Sequence, residues 1–207
     1  MIRLGIDTST SLVQVAICSG VEPLAVFDSA SNMRHGEDLA PAIASTLTQA
    51  GLMVSDLEEI VVGVGPGPFT GLRVGLVTAR TMGYSLQVPV VGVCSLDVIA
   101  ADVQAEEFLV ATDARRKEVY LASYRNGLRI DGPAVVKPAD AASDQLVAGE
   151  GALMYPEQFP NAVTPSHPSA ASLCRVVDQD AVIRLDPEPL YLRRPDTMAP
   201  RRPKRVS

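Results

Sequence analysis

The run Gly65-Pro66-Gly67-Pro68-Phe69-Thr70-Gly71-Leu72-Arg73-Val74-Gly75 follows the apolar segment Ile60-Val61-Val62-Gly63-Val64. A β-branched run, a Gly/Pro turn and then helical spacing read as strand, loop and helix. That order is used by many phosphate sites, which need successive backbone N–H groups, a lysine and often a metal-binding hydroxyl. Pro66 and Pro68 each remove one N–H. The chain has no lysine before Lys117, and Arg73 is the only nearby cation. A P-loop is not supported. The loop reads instead as a rigid turn in which prolines fix φ and glycines let a helix pack closely.

Three strands precede this loop, over Arg3 to Asp7, Leu12 to Cys18 and Leu24 to Asp28. A helix beginning near His35 or Glu37 keeps Leu39, Ile43, Leu47 and Ala50 on one face, and Gly51 is its stop. The spacing then predicts a helix from about Gly71 to Gln87, a strand over Val88 to Val93, and a short helix capped by Ser95. A second hairpin follows, Phe108 to Asp113 and Glu118 to Tyr124. A shift of 106 residues places Asp113 on Asp7, Val119 on Val13, Leu121 on Val15 and Ala122 on Ala16. This weak repeat points to two related α/β lobes.

Along the helix after the loop, Gly71, Gly75, Ala79 and Gly83 recur every four residues, leaving one stripe nearly bare. Each interior glycine costs about 1 kcal/mol relative to alanine, so a close backbone approach should offset it. The opposing helix can lie in this chain or in another. Leu72, Leu76 and Met82 flank the stripe.

With 47% apolar and 20% charged residues over 207 positions, the chain can bury a core and is not disordered. It has no apolar run of about eighteen residues, and Met1 to Asp7 lacks the features of a secretory signal. Cys18, Cys94 and Cys174 have no metal-ligand spacing and read as buried, reduced thiols. A cytoplasmic protein without a membrane contact is expected. Charge is unevenly placed. Arg193 to Ser207 carries six basic residues and one acidic (+5), whereas residues 1 to 192 carry 12 basic and 23 acidic (−11). The acidic body argues against a general nucleic-acid binder. The tail reads as a solvated, disordered end, with contact to RNA phosphates as the other reading.

Four ordered motifs give a resemblance to a known family. They are Ile6-Asp7-Thr8-Ser9-Thr10, the Gly65 to Gly75 loop, Asp113-Ala114-Arg115-Arg116-Lys117-Glu118-Val119-Tyr120, and Pro189-Leu190-Tyr191-Leu192-Arg193. Together they resemble the TsaB (YeaZ) family, the bacterial accessory subunit for making threonylcarbamoyladenosine in tRNA. Pro68 stands where relatives usually carry Ser, and Arg116-Lys117 also departs from the common pattern. The resemblance implies an α/β, duplicated two-lobe fold like that of actin, sugar kinases and heat-shock ATPases. The lobes would be an N-terminal unit over 1–104 and a C-terminal unit over 105–192, followed by the basic tail 193–207.

The resemblance further implies pairing with a paralogous catalytic threonylcarbamoyltransferase subunit, and work beside an ATPase subunit of the same complex. tRNA would be met indirectly. A homodimer in the partner's absence stays open, as does a nucleotide at a subunit interface. The contact would use Leu39, Ile43 and Leu47 of the first helix with Gly71, Leu72, Gly75, Leu76, Ala79 and Gly83 of the second. ATP and metal are expected on other subunits and no cofactor on this one.

The fold's two phosphate loops would here be Asp7-Thr8-Ser9-Thr10-Ser11 and Asp113-Ala114-Arg115-Arg116, and neither has the glycine that lets backbone reach a phosphate. Asp7 could still hold a magnesium-bound water and Arg115 an anion; the more modest role for each loop's acid is bonding the turn that follows it. Catalytic relatives hold metal through two histidines four apart, but the position four after His35 is Leu39, and the only other histidine is His167. Glu37 and Asp38 read as first-turn acids favoured by the helix dipole, on different faces from His35, which leaves a peptidase triad without its orienting acid. A scaffold without its own chemistry is therefore expected, and a free-standing ATP-binding enzyme of the same fold is the alternative.

Overall fold

Two five-stranded sheets arise from one strand pattern used twice. The computed structural model describes residues 1–29 and 34–192. The first sheet comprises β1 (Ile2–Asp7), β2 (Gln14–Ser19), β3 (Glu22–Asp28), β4 (Glu59–Gly63) and β5 (Val90–Val93), ordered β3-β2-β1-β4-β5. The second comprises β6 (Glu107–Asp113), β7 (Val119–Arg125), β8 (Leu128–Val136), β9 (Val147–Ala148) and β10 (Ala162–Val163), ordered β10-β9-β6-β7-β8. In each, three antiparallel strands are followed by two parallel ones. The repeated order makes the two lobes topological copies.

Helices α1 (His35–Ala50) and α2 (Phe69–Leu86) lie on one face of the first sheet. On α1, Leu39, Ile43 and Leu47 recur at one-turn spacing and are buried against Val13, Val15 and Ile17. Each such side chain contributes about 1.5–3 kcal/mol by leaving water. Gly51 ends α1 in the left-handed conformation (φ 68°), its N–H reaching the Leu47 and Thr48 carbonyls. Helix α3 (Ser95–Ala100) packs on the second sheet through Leu96 and Ile99, beside Phe108 and Tyr124. Cys94 rather than Ser95 precedes its first turn, with no side-chain cap. The Ser95 hydroxyl goes elsewhere, as described below.

Helix α4 (Glu150–Met154) follows β9 as α2 follows β4. The last helix, α5 (Ala170–Asp178), returns to the first sheet, on the face away from α1 and α2. The buried Arg3 side chain fastens it there, with Nε 2.5 Å from Glu59 and a second ion pair to Asp178. The following segment pairs with Gly92 through Leu185 and reaches the Val64 carbonyl from Leu190 N–H. Leu185 and Leu190 both touch the cores of the two lobes. Residues 170–192, assigned by sequence to the second unit, thus build the first sheet's back and strap the lobes together. The basic tail 193–207 lies outside the described residues. No helix of the described residues is long and apolar enough to cross a membrane.

Candidate functional site: closed phosphate loops and an outward helix face

The glycine loop is buried from Gly65 to Gly67. A methyl at Gly67 would overlap the Ser9 carbonyl, so this backbone rests directly on the β1–β2 loop. The Gly65 carbonyl accepts from Ser95 N–H at 2.8 Å, and the Tyr120 hydroxyl of the second lobe lies 3.5 Å from the Gly67 carbonyl. Two of its carbonyls are thus engaged with the protein, as expected for a rigid turn.

Thr8 explains the small-residue stripe. Its hydroxyl donates to the Gly71 carbonyl at 2.8 Å and accepts from Gly75 N–H at 3.1 Å, so it sits against the flank of α2. A Cβ on Gly75 would overlap that hydroxyl, one on Gly71 would lie 2.9 Å from the Thr8 carbonyl, and one on Gly83 would overlap Val90. The stripe is an internal seam. Leu39, Ile43, Leu47, Leu72, Leu76 and Ala79 are likewise core residues, none more than 7% exposed. The partner contact assigned by sequence to these nine residues is corrected on this point, because the chain's own sheet covers the bare face.

The faces turned outward are different. On α2, Phe69, Arg73, Val77 and Tyr84 point to solvent, with Val77 62% and Tyr84 82% exposed. Arg73 lies over the Phe69 ring at 3.7 Å and bonds the Tyr191 hydroxyl at 2.7 Å, while Phe69 and Tyr191 stack at 5.4 Å. On α1, the exposed row is Gly36, Ala40, Ala44 and Thr48, again at four-residue spacing, with nothing among the described residues within 4 Å of a Cβ on Gly36. A bare helix stripe open to solvent therefore exists, on α1 instead of α2.

Asp7 is 1% exposed, one oxygen accepting from Ser9 N–H (2.8 Å) and Ser9 Oγ (2.6 Å), the other from Ser95 Oγ (2.8 Å). This is the turn-bonding role. Burial, the largest influence, raises its pKa above the usual carboxylate value, while the Ser9 and Ser95 bonds and the His167 charge pull it down. The folded state therefore binds this proton more tightly than the unfolded chain. Its contribution to stability falls as pH rises from the ordinary carboxylate range through the folded pKa. Asp7→Asn keeps an acceptor for Ser9 and can present its amide to the Ser95 oxygen. It is expected to raise the melting temperature at neutral pH and to flatten its dependence on pH; an unchanged pH profile would contradict this.

The second lobe shows a register difference that sequence comparison concealed. Leu4, Ile6 and Ile60 face α2, and Leu109, Ala111 and Val147 face α4. The parallel pairs Leu4↔Ile60 and Leu109↔Val147 are equivalent, which relates β1 to β6 by 105 residues. Asp7 then corresponds to Thr112, and Asp113 falls on the opposite face. The hairpin is one residue longer here, so β7 keeps the shift of 106. Thr112 is 4% exposed, and its hydroxyl has no hydrogen-bond partner among the described residues. Asp113 instead accepts from Arg115 N–H at 2.8 Å and pairs with the Arg115 guanidinium at 3.0 Å. The second loop is thus also held by its own side chains.

His35 Nε2 lies 3.0 Å from the Thr10 carbonyl, to which the ring donates, and fixes the start of α1 on the β1–β2 loop. Sequence reading missed the second histidine's surroundings. His167 spans Ser166 Oγ (2.9 Å from Nδ1) and Glu150 (3.2 Å from Nε2), near Asp7. Seventeen residues separate Glu150 from His167, a spacing that carries no helix or strand signal. Among the described residues no group of three or more His, Cys, Asp or Glu side chains could hold a metal ion.

The family model described as TsaD, tRNA N6-adenosine threonylcarbamoyltransferase, matches residues 20–174. A Mycobacterium tuberculosis protein is 42% identical over 93% of this chain and 92% of its own length. The Bacillus subtilis tRNA threonylcarbamoyladenosine biosynthesis protein TsaB is 36% identical over 62% of this chain and 58% of its own. The solved structure of YeaZ from Pseudomonas aeruginosa superposes with a TM-score of 0.75 at 29% identity, over 92% of this chain and 99% of that one. The chain belongs to the TsaB (YeaZ) family. Its fold is the duplicated α/β class that the four motifs implied. The closed loops at Asp7 and Asp113 are thus features of a TsaB-type chain.

Proposed function

We propose that this chain is a non-catalytic scaffold of the tRNA threonylcarbamoyladenosine-synthesising machinery, which docks on a paralogous catalytic subunit of the TsaD type and orders it. The observation that carries this reading is the outward surface of α1 and α2. A small-residue row (Gly36, Ala40, Ala44, Thr48) lies on one helix, and an apolar and aromatic row (Phe69, Val77, Tyr84) with Arg73 lies on its neighbour. Small residues admit a partner helix closely. Aromatic and Arg side chains are enriched where proteins meet. The family-model match supports a partner of related ancestry, whose helix pair would be the natural complement.

Catalysis of its own is poorly served by the two phosphate loops. Asp7 and Asp113 are occupied by Ser9, Ser95 and Arg115, and the glycine loop rests on Ser9. ATP, metal and the transfer chemistry are assigned to the other subunits, with the ATPase among them, and tRNA is the complex's substrate. The test is size-exclusion chromatography of the purified chain mixed with the TsaD-type subunit of the same organism. Co-elution in one peak is expected; separate elution at micromolar concentration would contradict the reading.

A further inference from the structure

We propose that a cationic pocket on the α4 face of the second sheet binds the phosphate backbone of an RNA strand. The chain holds three lysines, Lys117, Lys137 and Lys204, and residues 1 to 192 carry a net −11. Two of those lysines nonetheless line one cavity of about 390 Å³, together with Arg116, Pro138, Ala139, Tyr155 and Gln158. No carboxylate of the described residues lines it. The register of β7 and β8 makes the pocket: Val119 pairs with Val136, so Lys117 before one strand and Lys137 after the other share an end of the ladder. Arg115, Arg116 and Lys117 all have positive φ (62°, 57° and 61°), which turns the hairpin tip here.

Lys117 and Lys137 take part in none of the ion pairs of the described residues. Arg116, which has contacts of its own, adds to the positive field. Like charges gathered this way repel, and an anion between them offsets the repulsion. The rest of the wall is uncharged: Pro138 is buried, Ala139 is exposed, the Tyr155 ring is half-buried, and Gln158 adds a neutral amide. Ammonium groups beside an aromatic ring suit a phosphate and a stacked base, and the volume is that of a small-ligand pocket.

The choice of RNA over a free nucleotide rests on the pathway reading above. None of the lining residues belongs to α1 or α2, so the pocket and the proposed pairing face are different surfaces.

The test uses the full chain, a tRNA transcript and ATP as separate probes, and two variants. One is Lys117→Glu with Lys137→Glu; the other replaces Arg201, Arg202, Lys204 and Arg205 by Ser. Melting temperature and co-elution with the catalytic subunit are followed for each. The lysine variant is expected to bind tRNA on the order of tenfold more weakly. Its slope of log affinity against log salt should be shallower by about 1.4, from two phosphate contacts at roughly 0.7 each. Its melting temperature and pairing should be unchanged.

Wild-type tRNA binding by the lysine variant, with loss in the tail variant, would overturn the proposal in favour of the tail. Binding of ATP but not tRNA in a lysine-dependent way would overturn the choice of RNA. Absence of any tRNA binding would overturn it altogether. Loss of co-elution by the unsubstituted chain would count against the scaffold reading alone.

Discussion

Gly75→Leu is expected to unfold the protein or leave it insoluble, and not merely to block assembly. The Gly75 Cα faces the Thr8 hydroxyl, which an added Cβ would overlap, and Ile6 Cγ2 lies 3.5 Å from that Cβ position. A leucine there must displace Thr8, breaking its bonds to the Gly71 carbonyl and Gly75 N–H, each worth about 1 kcal/mol. Overpacking adds about 1–3 kcal/mol or more. The sum, on the order of 3–5 kcal/mol, is a large part of the roughly 5–15 kcal/mol that holds a domain folded. Urea denaturation of whatever remains soluble should show the loss. A double-mutant cycle isolates the cause: Gly75→Ala should destabilise in the wild-type background and far less beside Thr8→Ala, where the clashing oxygen is gone. A Gly75→Leu protein with wild-type stability would show that the stripe is not an internal seam.

Val77→Asp should have the opposite profile. Val77 is 62% exposed in the middle of α2, so the folded chain loses little, and stability should stay within about 0.5 kcal/mol of wild type. Pairing should suffer severely, because a carboxylate would lose its water against a partner helix, and the cations one turn away, Arg73 and Arg80, are already engaged by Tyr191 and Glu188. A central contact of this kind is worth about 2–4 kcal/mol, which is about thirty- to a thousandfold in affinity. Size-exclusion and calorimetric titration against the catalytic subunit check it. Undiminished pairing by a folded Val77→Asp chain would remove α2's outer face from the interface.

These two substitutions mark where sequence reading succeeded and where it stopped. The helix over Leu39, Ile43 and Leu47, its Gly51 stop and the strand before the glycine loop were legible because local period and turn chemistry decide them. The duplication was legible too, since strand, acid and turn recur. Its register was not: the acid at Asp113 matches Asp7 in type but falls one residue away in the ladder, and only the faces of Leu109 and Val147 reveal this. The stripe at Gly71, Gly75 and Gly83 signalled close approach correctly. Spacing alone cannot say what approaches, and the answer was Thr8, distant in sequence, and Val90 of the strand that follows the helix. Ser95 was read as a helix cap because it stands at a helix start, yet a buried carboxylate from another strand competes for its hydroxyl. The exposed rows on α1 and α2 became visible only once the buried sides of both helices were fixed.

The scaffold role is tested most directly by threonylcarbamoyl transfer to tRNA in a purified reconstitution, with and without this chain. The mixture holds the catalytic paralogue, the ATPase subunit, the adenylate-forming enzyme, ATP, threonine and bicarbonate. Modification should collapse when this chain is omitted or carries Val77→Asp, and the chain alone should modify nothing. Unchanged modification in its absence, or transfer by the chain alone, would contradict a non-catalytic scaffold.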